Sequence, residues 1–278
     1  GSIATDHLMT YKGRFADSLV VDQLDKIALS FLVEDLEIHR GGVAANIAFG
    51  MANLGERPIL VGAAGEDFAD YRSWLERHGV DCDSVRISET RHTARFVCTT
   101  DDHMAQIATF YAGAMSEARE IELGPIATRV GGLDLVVISS NDPEAMLRHT
   151  EECRARNIPF AADPSQQLAF MDGESIRELI DGATYLFTNE YEAALTEQKT
   201  GWSSDEIAKR VQTRVITKGK NGALIATNGE EPIEIFVASE LRKADPTGVG
   251  GAFRPGVRSG LAWGLAPGAE AKHGARRA

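Results

Sequence analysis

The run Asp245-Pro246-Thr247-Gly248-Val249-Gly250-Gly251 places a carboxylate and a hydroxyl before several small residues and a segment able to begin a helix. Glycines let the backbone approach a ligand closely, and a helix N-terminus adds N–H donors with a partial positive charge. Several N–H groups can then converge on one anion. The run therefore predicts a phosphate-binding turn in which Gly248, Val249 and Gly250 form the anion hole.

Gly42 and Asn46 form a second candidate site, one suited to hydroxyl groups. Apolar residues at helical spacing predict a helix from about Gly42 to Leu54. One turn along that helix, Asn46 presents its amide to the same point in space as Gly42. An amide offers both donors and an acceptor, as sugar hydroxyls require. A glycine-initiated helix with a solvent-facing Asn is the alternative that the residues leave open.

Two further polar patterns follow predicted strands. Asn189 and Glu192 open a helix three residues apart, so they share a helix face. An acidic first turn is also normal helix chemistry. The segment Thr217-Lys218-Gly219-Lys220-Asn221-Gly222 closes another strand, and a Gly/Asn turn between two strands explains it without any ligand. Both patterns leave a structural and a functional interpretation open.

The elements that must position these residues alternate along the second half of the chain, which indicates a mostly parallel sheet covered by helices on both faces. We expect strands at Leu133–Ser139, Phe160–Asp163, Tyr185–Thr188 and Arg214–Lys218, helices at Asp142–Arg156, Gly173–Ile180, Glu190–Glu197 and Ser203–Arg210, and a hairpin around Asn228. In the first half we expect a strand at Pro58–Gly62 and a helix at Asp67–His78.

A small separate sheet is also predicted. The β-prone runs Thr93–Thr100 and Met104–Tyr111 indicate a hairpin, and the apolar run Lys26–Val33 could add a third strand. Residues Gly1 to Asp6 are interpreted as the loop after a strand that is itself absent.

Composition restricts the class of partner. The chain has 278 residues and a net charge of −12, which disfavours binding to nucleic acid or to an anionic membrane and favours a small-molecule ligand. Three widely spaced cysteines indicate neither disulfides nor zinc, and we expect reduced thiols in a cytoplasmic protein. The seven histidines show no metal-ligand spacing, and no apolar run approaches a membrane span.

Taken together, the patterns resemble the ribokinase (pfkB) family of small-molecule kinases. Gly41-Gly42-Val43-Ala44-Ala45-Asn46-Ile47-Ala48 is similar to its first signature, and Asp245 to Gly251 to its second. The resemblance implies a three-layer αβα sandwich with a mostly parallel central sheet and a small β-sheet lid. It implies one kinase domain over residues 1–262, with lid strands from about 10–40 and 93–112. Residues 263–278 would be a disordered tail, and the family's N-terminal strand and C-terminal helices would be missing.

Several segments, among them His39-Arg40-Gly41-Gly42 and Ala162-Asp163-Pro164-Ser165-Gln166-Gln167-Leu168, resemble bacterial adenosine kinases of this family. That likeness implies substrate contacts from Ser2, Asp6, Ser30, Gly42, Asn46, Phe96, Phe110, Gln166 and Gln167, with the two Phe rings flanking a purine. It implies ATP contacts from Asn189, Thr217, Lys218, Gly219, Gly222, Thr247, Gly248 and Gly250. Asn189 and Glu192 would support Mg²⁺ through bound water. Phe170 stands where these relatives carry an Arg.

The same family keeps a catalytic Asp, the general base, where this chain has Gly251. General bases contribute about 10²–10⁴-fold to rate, and Pro255 would further cost about 3 kcal/mol in a regular helix there. The resemblance implies ATP-dependent phosphorylation of adenosine at its 5′-hydroxyl to give AMP, impaired by Gly251, and it implies that two copies could pair through the lid. The alternatives are a ribose or fructose kinase, or a catalytically dead nucleoside-binding protein or fragment.

Overall fold

The computed structural model describes residues 1–19, 25–26 and 28–236. The predicted phosphate-binding turn at residues 245–251 and the predicted tail at residues 263–278 lie outside the described residues. The other candidate residues, and the scaffold that carries them, lie within the described ranges.

The described residues form twelve strands and eight α-helices. The strands are β1 Ala4–Tyr11, β2 Asp35–Gly41, β3 Gly62–Gly65, β4 Val85–Ser88, β5 Ala94–Asp101, β6 Gln106–Tyr111, β7 Val136–Ser139, β8 Phe160–Asp163, β9 Tyr185–Asn189, β10 Thr213–Thr217, β11 Ala223–Thr227 and β12 Ile233–Ile235. The helices are α1 Phe15–Ser18, α2 Val43–Asn53, α3 Ala69–Arg77, α4 Leu123–Val130, α5 Pro143–Ala155, α6 Gly173–Ile180, α7 Glu190–Thr200 and α8 Ser204–Arg210.

The largest sheet has six strands in the order β12-β11-β10-β9-β8-β7. Strands β7 to β10 run parallel, and β11 and β12 are added antiparallel at one edge. Parallel strands are apolar on both faces because both faces are covered. Ile138 and Leu186 accordingly belong to one buried cluster, and Ala161 and Phe187 to another. The alternating pattern from residue 133 onward is confirmed.

Local signals set the helix boundaries in this half. At α5 the Asp142 side chain accepts a hydrogen bond from the Ala145 N–H, and Pro143 occupies the first turn, where its missing N–H costs nothing. Helix α7 begins with a reciprocal capping box between Asn189 and Glu192 and ends at Gly201 with φ of 69°. These are the features that made the helices predictable from sequence.

The small sheet has four strands in the order β2-β1-β5-β6. The hairpin of β5 and β6 is confirmed, but the strand predicted at residues 26–33 is wrong. Residues 28–33 have no regular structure, and Phe31 packs instead on Tyr11 and Phe15 at centroid distances of 4.8 and 4.9 Å. The strand is the charged stretch Asp35–Gly41. Because both faces of this sheet are partly exposed, apolar character was a poor guide to its strands.

Two other expectations need correction. Residues 4–6 do not form a loop: they begin β1, which is central in the small sheet, antiparallel to β2 and parallel to β5. Residues 58–61 make a single bridge, Ile59 to Asp81, and the strand starts only at Gly62. In both places the backbone partners, which are distant in sequence, determine the outcome.

A hydrogen-bond cluster around the buried Thr93 joins the small sheet to the rest of the domain. Thr93, 1% exposed, stands just before β5; its hydroxyl donates to Asp67 Oδ1 at 2.7 Å and accepts from the Gly65 N–H at 3.0 Å. The Thr93 N–H donates to the same Asp67 oxygen at 2.8 Å. Arg95, within β5, donates to Asp67 Oδ2 at 2.6 Å. Asp67 therefore anchors the start of β5.

We expect Thr93→Val to lower the free energy of unfolding by about 1–3 kcal/mol, because it preserves shape while leaving the Gly65 N–H and part of the Asp67 carboxylate unpaired. Urea denaturation measures the change. Thr109→Val, on the exposed strand β6, is the matched control and should change stability by less than about 0.5 kcal/mol. Equal effects of the two substitutions would contradict the anchoring role.

Candidate active site

Polar residues end each of the four parallel strands of the large sheet: Ser139, Asp163, Asn189 and Thr217. Ligands of open α/β sheets bind at the carboxyl ends of the strands. Ser139 pairs with Asp163, and Asn189 pairs with Thr217. The sheet order therefore places two pairs of polar residues side by side at the carboxyl ends of the strands. One pair lies at the ends of β7 and β8, and the other at the ends of β9 and β10.

Ser2 connects the first group to helix α2. Its N–H donates to the Ser140 carbonyl at 3.0 Å, directly after β7. Its side-chain oxygen accepts from the Val43 N–H at 3.0 Å, and its carbonyl accepts from the Ala44 N–H at 3.1 Å. Ser2 is only 7% exposed, so its first role is to cap the N-terminus of α2.

Gly42 must be glycine for geometric reasons. Its φ of 91° is unfavourable for other residues, and a β-carbon there would lie 2.6 Å from both the Ala4 nitrogen and the Ser2 carbonyl oxygen. The predicted helix start is confirmed, with Gly42 as N-cap and Asn46 exposed in the first turn. Ser2, Gly42 and Asn46 thus meet at one helix end, as a hydroxyl-binding site requires.

Asp6 lies on the adjoining strand, against the glycine pair. A β-carbon on Gly41 would come within 2.7 Å of an Asp6 carboxylate oxygen, so only glycine leaves room for it. Burial raises the pKa of Asp6 above its ordinary value, an effect that the nearby His39 and His7 partly offset. A partly desolvated carboxylate has lost hydrogen bonds to water, and hydroxyl groups of a ligand would replace them and stabilise its charge.

The register of the small sheet aligns three of the predicted substrate residues. Asp6 on β1 is directly paired with Phe96 on β5, and Phe96 is directly paired with Phe110 on β6. Directly paired residues point to the same face of a sheet. One face of this sheet therefore presents a carboxylate beside two aromatic rings, and Phe110 is 51% exposed.

Gln166 and Gln167 follow β8 in a short 3-10 turn. The Gln167 amide donates to the Asn141 carbonyl at 2.6 Å, whereas Gln166 is exposed. The turn begins at Ser165, whose φ of 49° is unusual for a residue other than glycine and is the kind of backbone strain that gathers at functional sites. Gln166 is thus the freer of the two amides for a ligand.

Sequence reasoning missed Asn141, a 2% exposed amide immediately after β7. Its Oδ1 is buried and has no hydrogen-bond partner among the described residues. Buried polar atoms are rarely left unpaired, so Asn141 joins the candidate site beside Ser2 and Gln167. The signal was present as the polar run Ser139-Ser140-Asn141-Asp142 at the end of an apolar strand.

Asn189 and Glu192 satisfy each other in the capping box of α7. Asn189 Oδ1 accepts from the Glu192 N–H at 2.7 Å, and Glu192 Oε2 accepts from the Asn189 N–H at 2.8 Å. Within the described ranges no three carboxylate, His or Cys side chains cluster as metal ligands. The second carboxylate oxygen of Glu192 takes no part in the capping box, and it is the oxygen that a water-mediated contact to a metal would use.

The segment after β10 is a compact turn. Residues Gly219–Asn221 form one 3-10 turn, and the Lys218 N–H donates to the Gly222 carbonyl at 2.7 Å. Gly219 and Gly222 have φ of 53° and 91°, and a β-carbon on Gly222 would clash with the Ile235 carbonyl. Lys218 Nζ lies 3.3 Å from Glu234. The segment thus forms a turn between two strands, next to Asn189.

Two groups of predicted residues are not brought to this site by the described structure. Ser30 is exposed in the irregular segment before β2, and no hydrogen bond of the described residues joins it to the others. Thr247, Gly248, Val249, Gly250 and Gly251 lie outside the described residues.

A cavity of about 330 Å³ lies elsewhere, between the edge of β7, helices α2 and α4, and residues 58–61. Apart from Asn141 and Ser139 at its end, it is lined by none of the candidate residues named above, and its walls combine apolar side chains with charged ones such as Arg57 and Asp134. The cavity therefore lies beside the candidate site and does not coincide with it.

A parallel α/β sheet with polar strand ends, together with a separate small sheet, defines the chain as a small-molecule kinase of the ribokinase-like fold. Comparison with known proteins agrees: residues 6–278 match the pfkB family of carbohydrate kinases. The chain belongs to that family.

Solved structures of Burkholderia thailandensis nucleoside kinase are similar over nearly the whole chain. The inosine complex is 35% identical, covers 99% of this chain and 88% of that one, and has a TM-score of 0.85. Methanocaldococcus jannaschii nucleoside kinase is 28% identical over 241 residues, which are 86% of this chain and 78% of that protein. Bacillus subtilis ribokinase is 25% identical over 248 residues, 87% and 81% of the two chains.

We expect Asp6→Asn to weaken the binding of adenosine, used as a probe, by roughly 10- to 100-fold, the loss of about 1.5–3 kcal/mol typical of hydrogen bonds to a charged group. Because burial disfavours the ionised carboxyl in the folded state, stability at neutral pH should stay constant or rise. Calorimetric titration and thermal unfolding measure the two effects. Asp102→Asn, at the tip of the β5–β6 hairpin, should change neither, and an unaltered affinity of Asp6→Asn would refute the contact.

Proposed function

We propose that this chain is a nucleoside-binding member of its kinase family that phosphorylates the 5′-hydroxyl of a purine nucleoside, adenosine in the first place, to give the monophosphate. The observation that supports this most is the row of Asp6, Phe96 and Phe110 across the small sheet. A carboxylate suits ribose hydroxyls, and aromatic rings suit a purine face. Free ribose or fructose has no purine ring to stack on the two Phe rings.

The relatives support the same class of substrate. Proteins described as nucleoside kinases are among the most similar, including one solved in complex with inosine. Ribokinase and fructokinase relatives also match the chain, so a sugar kinase remains the second candidate. The pair of Phe96 and Phe110 favours the nucleoside kinase over the sugar kinase. Purine salvage would be the physiological setting of a nucleoside kinase.

In the proposed mechanism Ser2, Gly42 and Asn46 at the start of α2, with Asp6 beside them, hold the ribose. Phe96, Phe110 and Gln166 hold the base. ATP would lie along the ends of β9 and β10, near Asn189, Thr217 and the turn at residues 218–222. When bound, Mg²⁺ would neutralise phosphate charge, with Glu192 acting through water. The outer face of the small sheet, which exposes Leu36, Ile38 and Ile107, could pair two copies.

The chemical step depends on the turn at residues 245–251. The N–H groups of Gly248 to Gly250 would stabilise charge on the transferred phosphoryl group. Gly251 has no side chain to accept the 5′-hydroxyl proton. We therefore propose substrate binding typical of the family together with a slow chemical step.

We expect Gly251→Asp to raise kcat for 5′-monophosphate formation by about 10²–10⁴-fold, the usual contribution of a general base, with little change in adenosine affinity. Chromatographic detection of AMP from adenosine and ATP measures it. Gly251→Asn, which has similar size but cannot take the proton, is the control and should stay slow. If the unaltered chain already turned over at about 1–100 s⁻¹, as kinases typically do, the interpretation of Gly251 would be wrong.

We expect Phe110→Ala to weaken adenosine binding by roughly 5- to 100-fold, because a base stacked on an aromatic ring contributes about 1–3 kcal/mol. Ribose binding should be unaffected. Tyr111→Ala removes the neighbouring ring, 47% exposed on the opposite face, and serves as the matched control. Tighter binding of ribose than of adenosine by the unaltered chain would favour the sugar-kinase alternative.

A further inference from the structure

We infer that His39 is a further substrate-contacting residue, which binds a ribose hydroxyl beside Asp6 and so favours ribonucleosides over deoxyribonucleosides. The inference rests on the proposed function and deepens it. Composition and spacing alone predict only a solvated or structural histidine at this position. The strand register supports a different role.

His39 on β2 is directly paired with Asp6 on β1. Since Asp6 pairs with Phe96 and Phe96 with Phe110, the four residues form one row across all four strands of the small sheet. Directly paired side chains point to the same face, with β-carbons about 4.5–5.5 Å apart. His39 therefore belongs to the face that carries the three proposed substrate contacts.

The order within the row indicates what His39 would touch. The aromatic pair lies on one side of Asp6, and His39 lies on the other. A nucleoside with its base against Phe96 and Phe110 and its sugar at Asp6 has the far side of the sugar next to β2. A side chain one strand away from Asp6 is within reach of the same ribose.

The imidazole is held but still accessible. Its Nε2 lies 2.8 Å from Glu37 Oε2, two residues away on the same strand face, and the His39 side chain is 54% exposed. That contact uses one of the two ring nitrogens. Imidazole and a sugar hydroxyl can each donate and accept a hydrogen bond. An exposed side-chain contact of this kind stabilises a fold little, so stability does not account for the arrangement.

His7 provides a matched comparison. It is the sequence neighbour of Asp6 and, like His39, lies close enough to lower the pKa of that carboxyl. Side chains alternate along a strand, so His7 points to the opposite face, where Nε2 lies 3.1 Å from the Thr5 hydroxyl. His7 shares the electrostatic influence of His39 on Asp6 without sharing its face.

The test is calorimetric titration of the unaltered chain, His39→Ala and His7→Ala with adenosine, 2′-deoxyadenosine, 3′-deoxyadenosine and ribose. His39→Ala should weaken adenosine binding about 5- to 30-fold, as expected for one hydrogen bond to a polar or charged partner. The loss should fall below about twofold with one of the two deoxynucleosides, whose missing hydroxyl is the one contacted. His7→Ala should change adenosine binding by less than about twofold.

Equal losses with adenosine and both deoxynucleosides would overturn the contact, and so would equal effects of His39→Ala and His7→Ala. The proposed function fails separately, if the unaltered chain binds ribose but not adenosine; the effect of His39→Ala on ribose affinity then still decides the contact. Binding of none of the four ligands would overturn both. Binding does not require the general base, so Gly251 does not interfere.

Discussion

The close approach of the glycine pair Gly41-Gly42 to the first strand is the constraint on which the rest of the structure depends. Side chains at these positions would collide with the backbone of residues 2–4 and with the Asp6 carboxylate. Because neither glycine has a side chain, β1 can lie against β2 while Ser2 caps helix α2. The Tyr71 hydroxyl, donating to the Gly41 carbonyl at 3.1 Å, holds the same point from α3.

The segment from Ser2 to Asp6 contacts both sheets. Ser2 bonds to the end of β7 in the large sheet, and four residues later Asp6 stands in the middle of the small sheet. The Asp67 cluster fixes the second crossing, where the chain enters β5. The two crossings set the row Asp6, Phe96 and Phe110 of the small sheet relative to the strand ends of the large one. The residues proposed to bind substrate, which are distant in the sequence, therefore lie on one connected scaffold.

The sequence predicted the elements whose boundaries depend on residues close together in the chain. Helices with caps, such as α5 after Asp142 and α7 after Asn189, and the parallel strands with apolar residues on both faces were found from sequence. The strands β1 and β2 were not, since they mix polar and apolar residues and their pairing partners are distant in the chain. The family resemblance suggested Asp6 and the ring pair of Phe96 and Phe110, whereas their common row, and His39 within it, required the register.

Binding and chemistry are assigned to different parts of this chain, and the two can therefore fail independently. The residues proposed to hold the nucleoside lie almost entirely on a scaffold fixed by backbone pairing, glycine contacts and hydrogen-bonded polar clusters, whereas position 251 lies outside the described residues. A missing general base removes an interaction made only in the transition state, which lowers kcat and leaves ground-state affinity intact. Substitution of Asp6 or of Gly41 and Gly42 is instead expected to weaken substrate binding. The Asp6 carboxylate lies directly against Gly41, so the proposed binding group and the packing of β1 on β2 depend on the same contact.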